Sequence, residues 1–161
     1  MIYSRFMRLK TFVLITASLA LVTTGLVYAQ TQKPVAATAI TVYKTASCGC
    51  CAMWVEHLKK NGFQVETKDV SASAVRDVSK AAGLKDEDTS CHTAKVGNYI
   101  VEGHVPAADI QRMLKEKPAI AGLSAPGMPQ GSPGMEQGHS EAYDVVAFTK
   151  DGKTTVYAKH K

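Results

Sequence analysis

The first part of the chain alternates between apolar runs with strand character and apolar runs with helix character. Residues 39–44, AITVYK, form a short β-branched run that predicts a buried strand. The segment that follows carries apolar side chains at the i, i+3, i+4, i+7 spacing of an amphipathic helix, namely Cys51, Trp54, Val55 and Leu58. Gly62 is the expected helix terminator, and the alternation in residues 63–70 predicts a second strand.

The pattern then predicts a second helix over residues 71–83, with Ser71 as its N-terminal cap. Residues 84–93 are polar and predict a loop, and this loop carries Cys91 and His92. The next apolar residues alternate on either side of Gly97-Asn98, which predicts two strands joined by a tight turn.

The last part of the chain reads as a helix, a long loop and a hairpin. Pro106 suits the first turn of a helix, and Pro118 is expected to end it. Proline and glycine are so dense in residues 121–142 that we expect no regular structure there. Residues 143–160 predict a hairpin around Asp151-Gly152.

This order of elements predicts a single α/β domain over residues 39–161. The opening strand, helix and strand imply parallel strands joined by a right-handed crossover. A strand that runs directly into a cysteine-bearing helix N-terminus is a thioredoxin-like arrangement. We therefore expect a thioredoxin-like fold, with a central mixed sheet flanked by helices and an added C-terminal β-hairpin. Residues 30–38 are small and polar and are expected to form a linker.

Residues 1–29 have the composition of an export signal. A basic start precedes a short apolar run, and small residues at Val27 and Ala29 suit cleavage after Ala29. Cleavage would remove three basic residues and no acidic residue, so the formal charge would fall from +5 to +2. We therefore expect a periplasmic protein with no stable membrane association after signal cleavage. Because no remaining stretch combines a basic run with aromatic residues, we expect no binding to nucleic acid.

Three of the four cysteines fall within four positions, Cys48, Cys50 and Cys51, and Cys91 lies on a later loop. An exported protein can form disulfides, but a bridge between such close neighbours restricts the unfolded chain very little. The clustering therefore indicates a metal-binding or redox role for these cysteines rather than structural disulfides. The helix N-terminus offers free N–H groups and the positive end of a dipole, and both favour thiolates.

Two kinds of chemistry are compatible with this cluster. Cys48 and Cys51 have the C-x-x-C spacing of thiol–disulfide exchange proteins, but such a protein has no use for Cys50. Soft thiolates also bind Cu(I), zinc or iron–sulfur clusters. We expect the adjacent Cys50 and Cys51 side chains to diverge, so a set of four cysteines would suit several Cu(I) ions bridged by thiolates better than one ion.

Other candidate ligands lie near these cysteines in the sequence or on the long loop. His92 directly follows Cys91 and is a candidate ligand or a support for one, and His104 is left open between a site role and a structural role. Met128 and Met135 are thioethers in an exposed loop, where they could bind Cu(I) or cover the cluster. Met53 is expected to be a packing residue.

The chain resembles the CopG-like periplasmic copper-resistance proteins over residues 40–157, and three stretches carry this resemblance. These stretches are VYKTASCGCCAMWVEHLKKNGF, SCHTAKVGNYIVEGHVPAADI and GLSAPGMPQGSPGME. The resemblance implies copper binding and a role in copper tolerance. It implies metal roles for Cys48, Cys50, Cys51 and Cys91, and extends them to His92, Met128 and Met135.

The function predicted from the sequence is therefore that of an exported protein that holds Cu(I) through clustered thiolates, with copper or thiol redox activity as an extension. Other periplasmic copper-handling proteins would be its partners. The alternative is an enzyme, a thiol–disulfide oxidoreductase that acts on periplasmic proteins. A zinc-structured interaction module is a third hypothesis, and it predicts unfolding by a zinc chelator.

Overall fold

The structure is a computed structural model that describes residues 37–161, so the predicted signal segment 1–29 and most of the predicted linker lie outside the described residues. Seven strands, three α-helices and a 3-10 turn at Asp86–Asp88 follow one another along the chain. In order they are β1 (Thr38–Lys44), α1 (Gly49–Lys60), β2 (Phe63–Asp69), α2 (Ala72–Ala81), β3 (His92–Val96), β4 (Tyr99–Gly103), α3 (Ala107–Glu116), β5 (Gly122–Ala125), β6 (Tyr143–Phe148) and β7 (Thr154–His160).

All seven strands form one mixed sheet in the order β2-β1-β3-β4-β5-β6-β7. The pairs β1–β2 and β4–β5 are parallel, and the other neighbours are antiparallel. The prediction of an α/β domain with a mixed sheet is confirmed, and the thioredoxin-like assignment stays a prediction.

Helices cover both faces of this sheet. Successive strand residues point to opposite faces, and in β4 Ile100 and Val101 belong to two different apolar clusters. The larger cluster contains Val101 together with the buried sides of α1 and α3, and the smaller contains Ile100 with side chains of α2 packed on it. Helix α2 therefore lies on the face opposite α1 and α3.

Helix α1 has the C-terminal end and the inner face that its sequence predicts. Its buried side chains are the four predicted ones, Cys51, Trp54, Val55 and Leu58. Gly62 follows the helix with a φ of 86°, in the left-handed region that glycine adopts without strain. The helix begins earlier than its apolar pattern, at Gly49, because Cys48 acts as the N-terminal cap.

Helix α2 confirms its predicted cap, since the Ser71 side chain accepts a hydrogen bond from the Ala74 N–H. Helix α3 has a cap that the sequence did not indicate. The ring nitrogen Nε2 of His57, on α1, accepts a hydrogen bond of 3.0 Å from the Ala107 N–H at the start of α3.

The expectation that residues 121–142 contain no regular structure is wrong for their first part. Residues 122–125 form β5, which is buried throughout and lies between β4 and β6. Gly122 makes this insertion possible, because a Cβ atom at this position would lie 1.9 Å from the Ile100 carbonyl oxygen. A four-residue strand is too short to show a clear alternation of apolar and polar residues, and the glycines and prolines that follow it obscure the pattern further. Likewise His92, which was expected in a loop, is the first residue of β3.

Within residues 37–161, none of the helices combines the length and the apolar character that are needed to cross a lipid bilayer.

Candidate metal centre

The register of the sheet brings the two cysteine-bearing segments together. Lys44, at the end of β1, pairs with His92, at the start of the antiparallel β3. The chain enters α1 just beyond Lys44, and Cys91 lies just before His92. As a result, the N-terminus of α1 and the loop before β3 meet at one end of the sheet.

All four cysteine sulfur atoms lie within 4.8 Å of one another. The Sγ of Cys91 is 3.5 Å from the Sγ of Cys51 and 3.9 Å from that of Cys50. Cys50 in turn lies 3.6 Å from Cys48. The expectation that Cys50 and Cys51 diverge is therefore wrong, because adjacent residues in the first turn of a helix are about 100° apart and both side chains reach the loop of Cys91.

Cys48 and Cys51 form a disulfide, whereas Cys50 and Cys91 are free thiols. This bridge spans the C-x-x-C spacing at the start of α1, and it encloses Cys50 in its short loop. In this form, Cys48 and Cys51 have no thiolate with which to bind a metal ion. The disulfide must be reduced before all four sulfur atoms can act as ligands.

Two histidines complete the surroundings of Cys91. The Sγ of Cys91 lies 3.3 Å from Nδ1 of His92 and 3.3 Å from Nε2 of His104. These three side chains form a second group of potential metal ligands that shares Cys91 with the first. Both imidazoles are fully buried, and their rings meet edge to face with 4.9 Å between centroids. His104, which the sequence left open, thus lies in the site.

The hydrogen bonds assign a tautomer to His104. Nδ1 of His104 lies 2.8 Å from the carbonyl oxygen of Pro133, which can only accept, so Nδ1 carries the proton. Nε2 of His104 therefore presents its lone pair to Cys91. Cys91 has a single thiol proton, so it can donate to only one of the two imidazoles at a time. Nε2 of His92 is buried and has no hydrogen-bond partner among the described residues.

The electrostatics of the buried site disfavour charge when no metal is bound. Burial, followed by the charge and hydrogen bond of Cys50, raises the pKa of the Cys91 thiol. Burial, with a smaller contribution from His104, lowers the pKa of His92 to about 3, and burial also lowers the pKa of His104. A cation that binds here therefore meets neutral imidazoles, and it must displace a proton from Cys91.

Glu102 is a buried carboxyl group that supports the Cys91 loop and that the sequence did not indicate. Its Oε1 accepts a hydrogen bond of 2.7 Å from the Ser90 N–H, and its Oε2 accepts one of 2.5 Å from the Thr93 hydroxyl. Glu102 faces Thr93 because β3 and β4 pair these two residues. The carboxyl group thus joins the residues on both sides of the Cys91-His92 pair.

We expect Glu102→Ala to destabilise the protein by about 1–3 kcal/mol, because it leaves the partly buried Ser90 N–H without its acceptor. Glu102→Gln keeps an acceptor for Ser90 and is the matched control, since its amide resembles the protonated carboxyl group. Urea unfolding of both variants at one pH measures the difference. Equal destabilisation by alanine and glutamine would contradict this supporting role.

A comparison of the wild type with Glu102→Gln tests the charge state of Glu102. Burial raises the pKa of this carboxyl group from 4.5 to about 7. A group whose pKa is raised on folding stabilises the folded state at pH values below its pKa in the unfolded chain. This contribution is lost as the pH rises through its pKa in the folded protein. The metal-free wild type should therefore lose stability between about pH 5 and pH 8 relative to Glu102→Gln. Unfolding midpoints that shift in parallel over this range would contradict the prediction.

The long loop, residues 126–142, is anchored on both halves of the site. The Ser90 hydroxyl donates to the Gly127 carbonyl oxygen, and the Gly127 N–H donates to the Thr89 carbonyl oxygen at 3.2 Å. Further along, Pro133 accepts the hydrogen bond from His104, and Gly134 lies directly against α1. The loop thereby covers the histidine side of the cysteine cluster.

Met128 and Met135 lie beside the cysteine cluster, on the side of Cys50. They line a cleft of about 440 Å³, together with Met53 from α1 and the thiol-bearing Cys50. The expectation that Met53 is a packing residue is wrong, because its side chain is 39% exposed and contributes to this cleft. Its position in the first half of a helix next to Cys50 is the only signal in the sequence that could have indicated this.

Comparisons with known proteins give a consistent result. Residues 89–135 match the family described as "Protein of unknown function, DUF411". A solved structure titled "Copper resistance protein copG- Form 2" is 44% identical, with a TM-score of 0.70, and the alignment covers 78% of this chain and 99% of that one. Its "Form 1" counterpart is 42% identical with the same TM-score, over 77% and 98% of the two chains. No curated protein matches the sequence.

Proposed function

Because the chain belongs to the CopG-like family of copper resistance proteins, we propose that it is an exported copper-binding protein that contributes to copper tolerance. Its cargo is Cu(I), held by the thiolates of the four cysteines. The observation that carries this proposal is the convergence of all four sulfur atoms within 4.8 Å at one end of the sheet. Thiolates are soft ligands that select Cu(I), and no other buried group of the described residues offers so many of them.

Cys91 is the centre of the proposed site. It is the only ligand shared by the sulfur group and the group that contains His92 and His104. His104 presents its Nε2 lone pair to Cys91, so it can bind the same ion without any change of tautomer. We assign His92 a ligand or supporting role, since its Nδ1 also contacts Cys91. Four thiolates and two imidazoles in this volume support binding of more than one Cu(I) ion.

The Cys48–Cys51 disulfide makes binding depend on the redox state of the protein. Two of the four sulfur ligands are available only after the disulfide accepts two electrons and two protons from a thiol reductant. Copper capacity and thiol redox chemistry are therefore coupled in this proposal. The exported form, cleaved after Ala29, would exchange copper with other copper-handling proteins of the periplasm.

We expect the reduced protein to bind more Cu(I), and to bind it at least about 100-fold more tightly, than the protein that retains the Cys48–Cys51 disulfide. The reason is that a lost supporting contact alone costs about 10–100-fold in metal affinity, and here two ligands are absent. The measurement is an anaerobic Cu(I) titration against a chromophoric chelator, with free thiols counted in the same sample. Equal affinity in both forms would refute the thiolate site, and strictly one copper per reduced chain would refute a site for several ions.

A thiol–disulfide oxidoreductase is the second candidate function. It is favoured by one observation, the disulfide between Cys48 and Cys51 at the N-terminus of α1. An insulin-reduction assay beside the copper titration separates the two functions. Strong Cu(I) binding without reductase activity supports the copper protein, and reductase activity without Cu(I) binding supports the enzyme.

A further inference from the structure

Three of the four methionines in the described part of the chain line the same cleft. Met113 is fully buried in the core, whereas Met53, Met128 and Met135 line the cleft of about 440 Å³ described above. Met53 and Met128 are 39% and 51% exposed, and they are two of the three large apolar side chains that the described residues leave exposed. Met113 is therefore a packing residue of the core, whereas core packing does not account for the other three methionines.

The remaining lining of the cleft is neutral. Gln130, Gln137, Gly49 and Gly134 complete it, and no lysine, arginine or acidic side chain takes part. The Gln137 amide lies 3.9 Å from the sulfur of Met53 and can donate to it weakly. Thioethers are soft, uncharged ligands that prefer Cu(I), so a neutral cleft with three thioethers suits a monovalent soft cation.

Cys50 connects this cleft with the sulfur atoms of Cys48 and Cys91. It lines the cleft, and its Sγ lies 3.6 Å from that of Cys48 and 3.9 Å from that of Cys91. An ion held by the methionines is thus next to the free thiol through which it can reach the other ligands. Pro133 and Gly134 cover the histidine side of the cluster, whereas Cys50 opens onto the methionine cleft.

We propose that Met53, Met128 and Met135 form a separate entry site that binds Cu(I) and passes it to Cys50. In the transfer, copper–thioether bonds break as a copper–sulfur bond to Cys50 forms, the Cys50 thiol proton goes to solvent, and copper stays Cu(I). Binding in the cleft stands on its own residues, whereas the transfer step rests on the proposed cysteine site. The competing interpretation is that the three side chains only cover the cluster as apolar groups.

Silver(I) tests binding in the cleft because it shares the soft character of Cu(I) without its redox chemistry. In a variant with all four cysteines changed to serine, we expect silver(I) to shift the methyl NMR signals of Met53, Met128 and Met135. The buried Met113 serves as the internal control and should not respond. Circular dichroism verifies that this variant folds. Unshifted methyl signals, or shifts that include Met113 equally, would overturn the entry site.

A kinetic experiment on the protein with all its cysteines tests the transfer step and does not depend on the folding of the serine variant. We expect the triple change Met53→Leu, Met128→Leu and Met135→Leu to slow Cu(I) loading from a thioether donor peptide by at least about tenfold, which corresponds to about 1.4 kcal/mol in the barrier. Leucine keeps the apolar volume but removes the sulfur. Met113→Leu is the control and should load at the wild-type rate.

Loading of the triple variant at the wild-type rate would overturn the transfer step and favour an apolar cover. The result is also distinguishable from failure of the cysteine site. If the cysteines bind no Cu(I), neither the wild type nor the triple variant loads Cu(I) onto its cysteines, while silver(I) still shifts the three methyl signals.

Discussion

Changing Cys91 to serine should lower the affinity of the reduced protein for Cu(I) by more than about 100-fold. No other residue of the site has as many potential ligands around it: two cysteine sulfur atoms within 3.9 Å and two imidazole nitrogens at 3.3 Å. Serine keeps the size and the hydrogen bonds but offers a hard oxygen in place of a soft thiolate. The loss should therefore appear in metal affinity, measured by competition with a Cu(I) chelator.

Two controls separate this effect from damage to the fold. The thermal unfolding of metal-free Cys91→Ser should stay close to that of the wild type, because Cys91 forms no disulfide. Thr93→Ser changes a nearby hydroxyl residue outside the ligand set and should keep the Cu(I) affinity of the wild type. If Cys91→Ser binds Cu(I) as tightly as the wild type, the convergence of sulfur atoms has no role in metal binding.

Gly134→Ala should be among the most destabilising single changes in the loop that covers the site. A Cβ atom at Gly134 would lie 2.8 Å from the Cys50 carbonyl oxygen and 2.9 Å from the Trp54 nitrogen, both of which are backbone atoms of α1. The residue also has a φ of 87°. Strain and overpacking together predict a loss of about 2–5 kcal/mol in the free energy of unfolding. Urea denaturation measures it.

Gly138→Ala is the matched control for this change. Gly138 lies in the same loop with a φ of 95°, but a Cβ atom there would have nothing within 4 Å. It therefore carries the backbone strain without the collision, and about 1–2 kcal/mol is expected. If the two variants lose equal stability, close packing of the loop against α1 is not what holds it in place. Gly134→Ala should in addition weaken Cu(I) binding, because displacing the loop frees Nδ1 of His104 from Pro133.

The sequence was most informative where the spacing of apolar residues within an element reveals its type and a capping residue marks where it begins or ends. Strand β1 and helix α1 were predicted because β-branched residues and a four-membered apolar spacing mark them, and Ser71 marked the start of α2. Strand β5 was missed, since four residues cannot display a period. Its existence depends on Gly122, which allows β4 to approach closely.

The cysteines of the site were predictable from their clustering, but most of their surroundings were not. His104 and Glu102 lie at the site because of the pairing between β3 and β4, which no local pattern specifies. The contact of Pro133 with His104 depends on the path of an irregular loop. Met53 was misjudged because a methionine on a helix usually packs inward, whereas here the loop of Met128 and Met135 leaves a cleft beside it.

The two ends of the Cys48–Cys51 disulfide differ in their access to solvent. Cys51 is fully buried, whereas Cys48 is half-buried as the cap of α1. An external thiol can therefore attack only the sulfur of Cys48, which makes Cys51 the leaving group. The Cys51 thiolate is released in the interior, 3.5 Å from the Sγ of Cys91. The disulfide therefore opens in one direction only, with the reductant bound to Cys48 on the solvent side and the freed sulfur of Cys51 facing the other ligands.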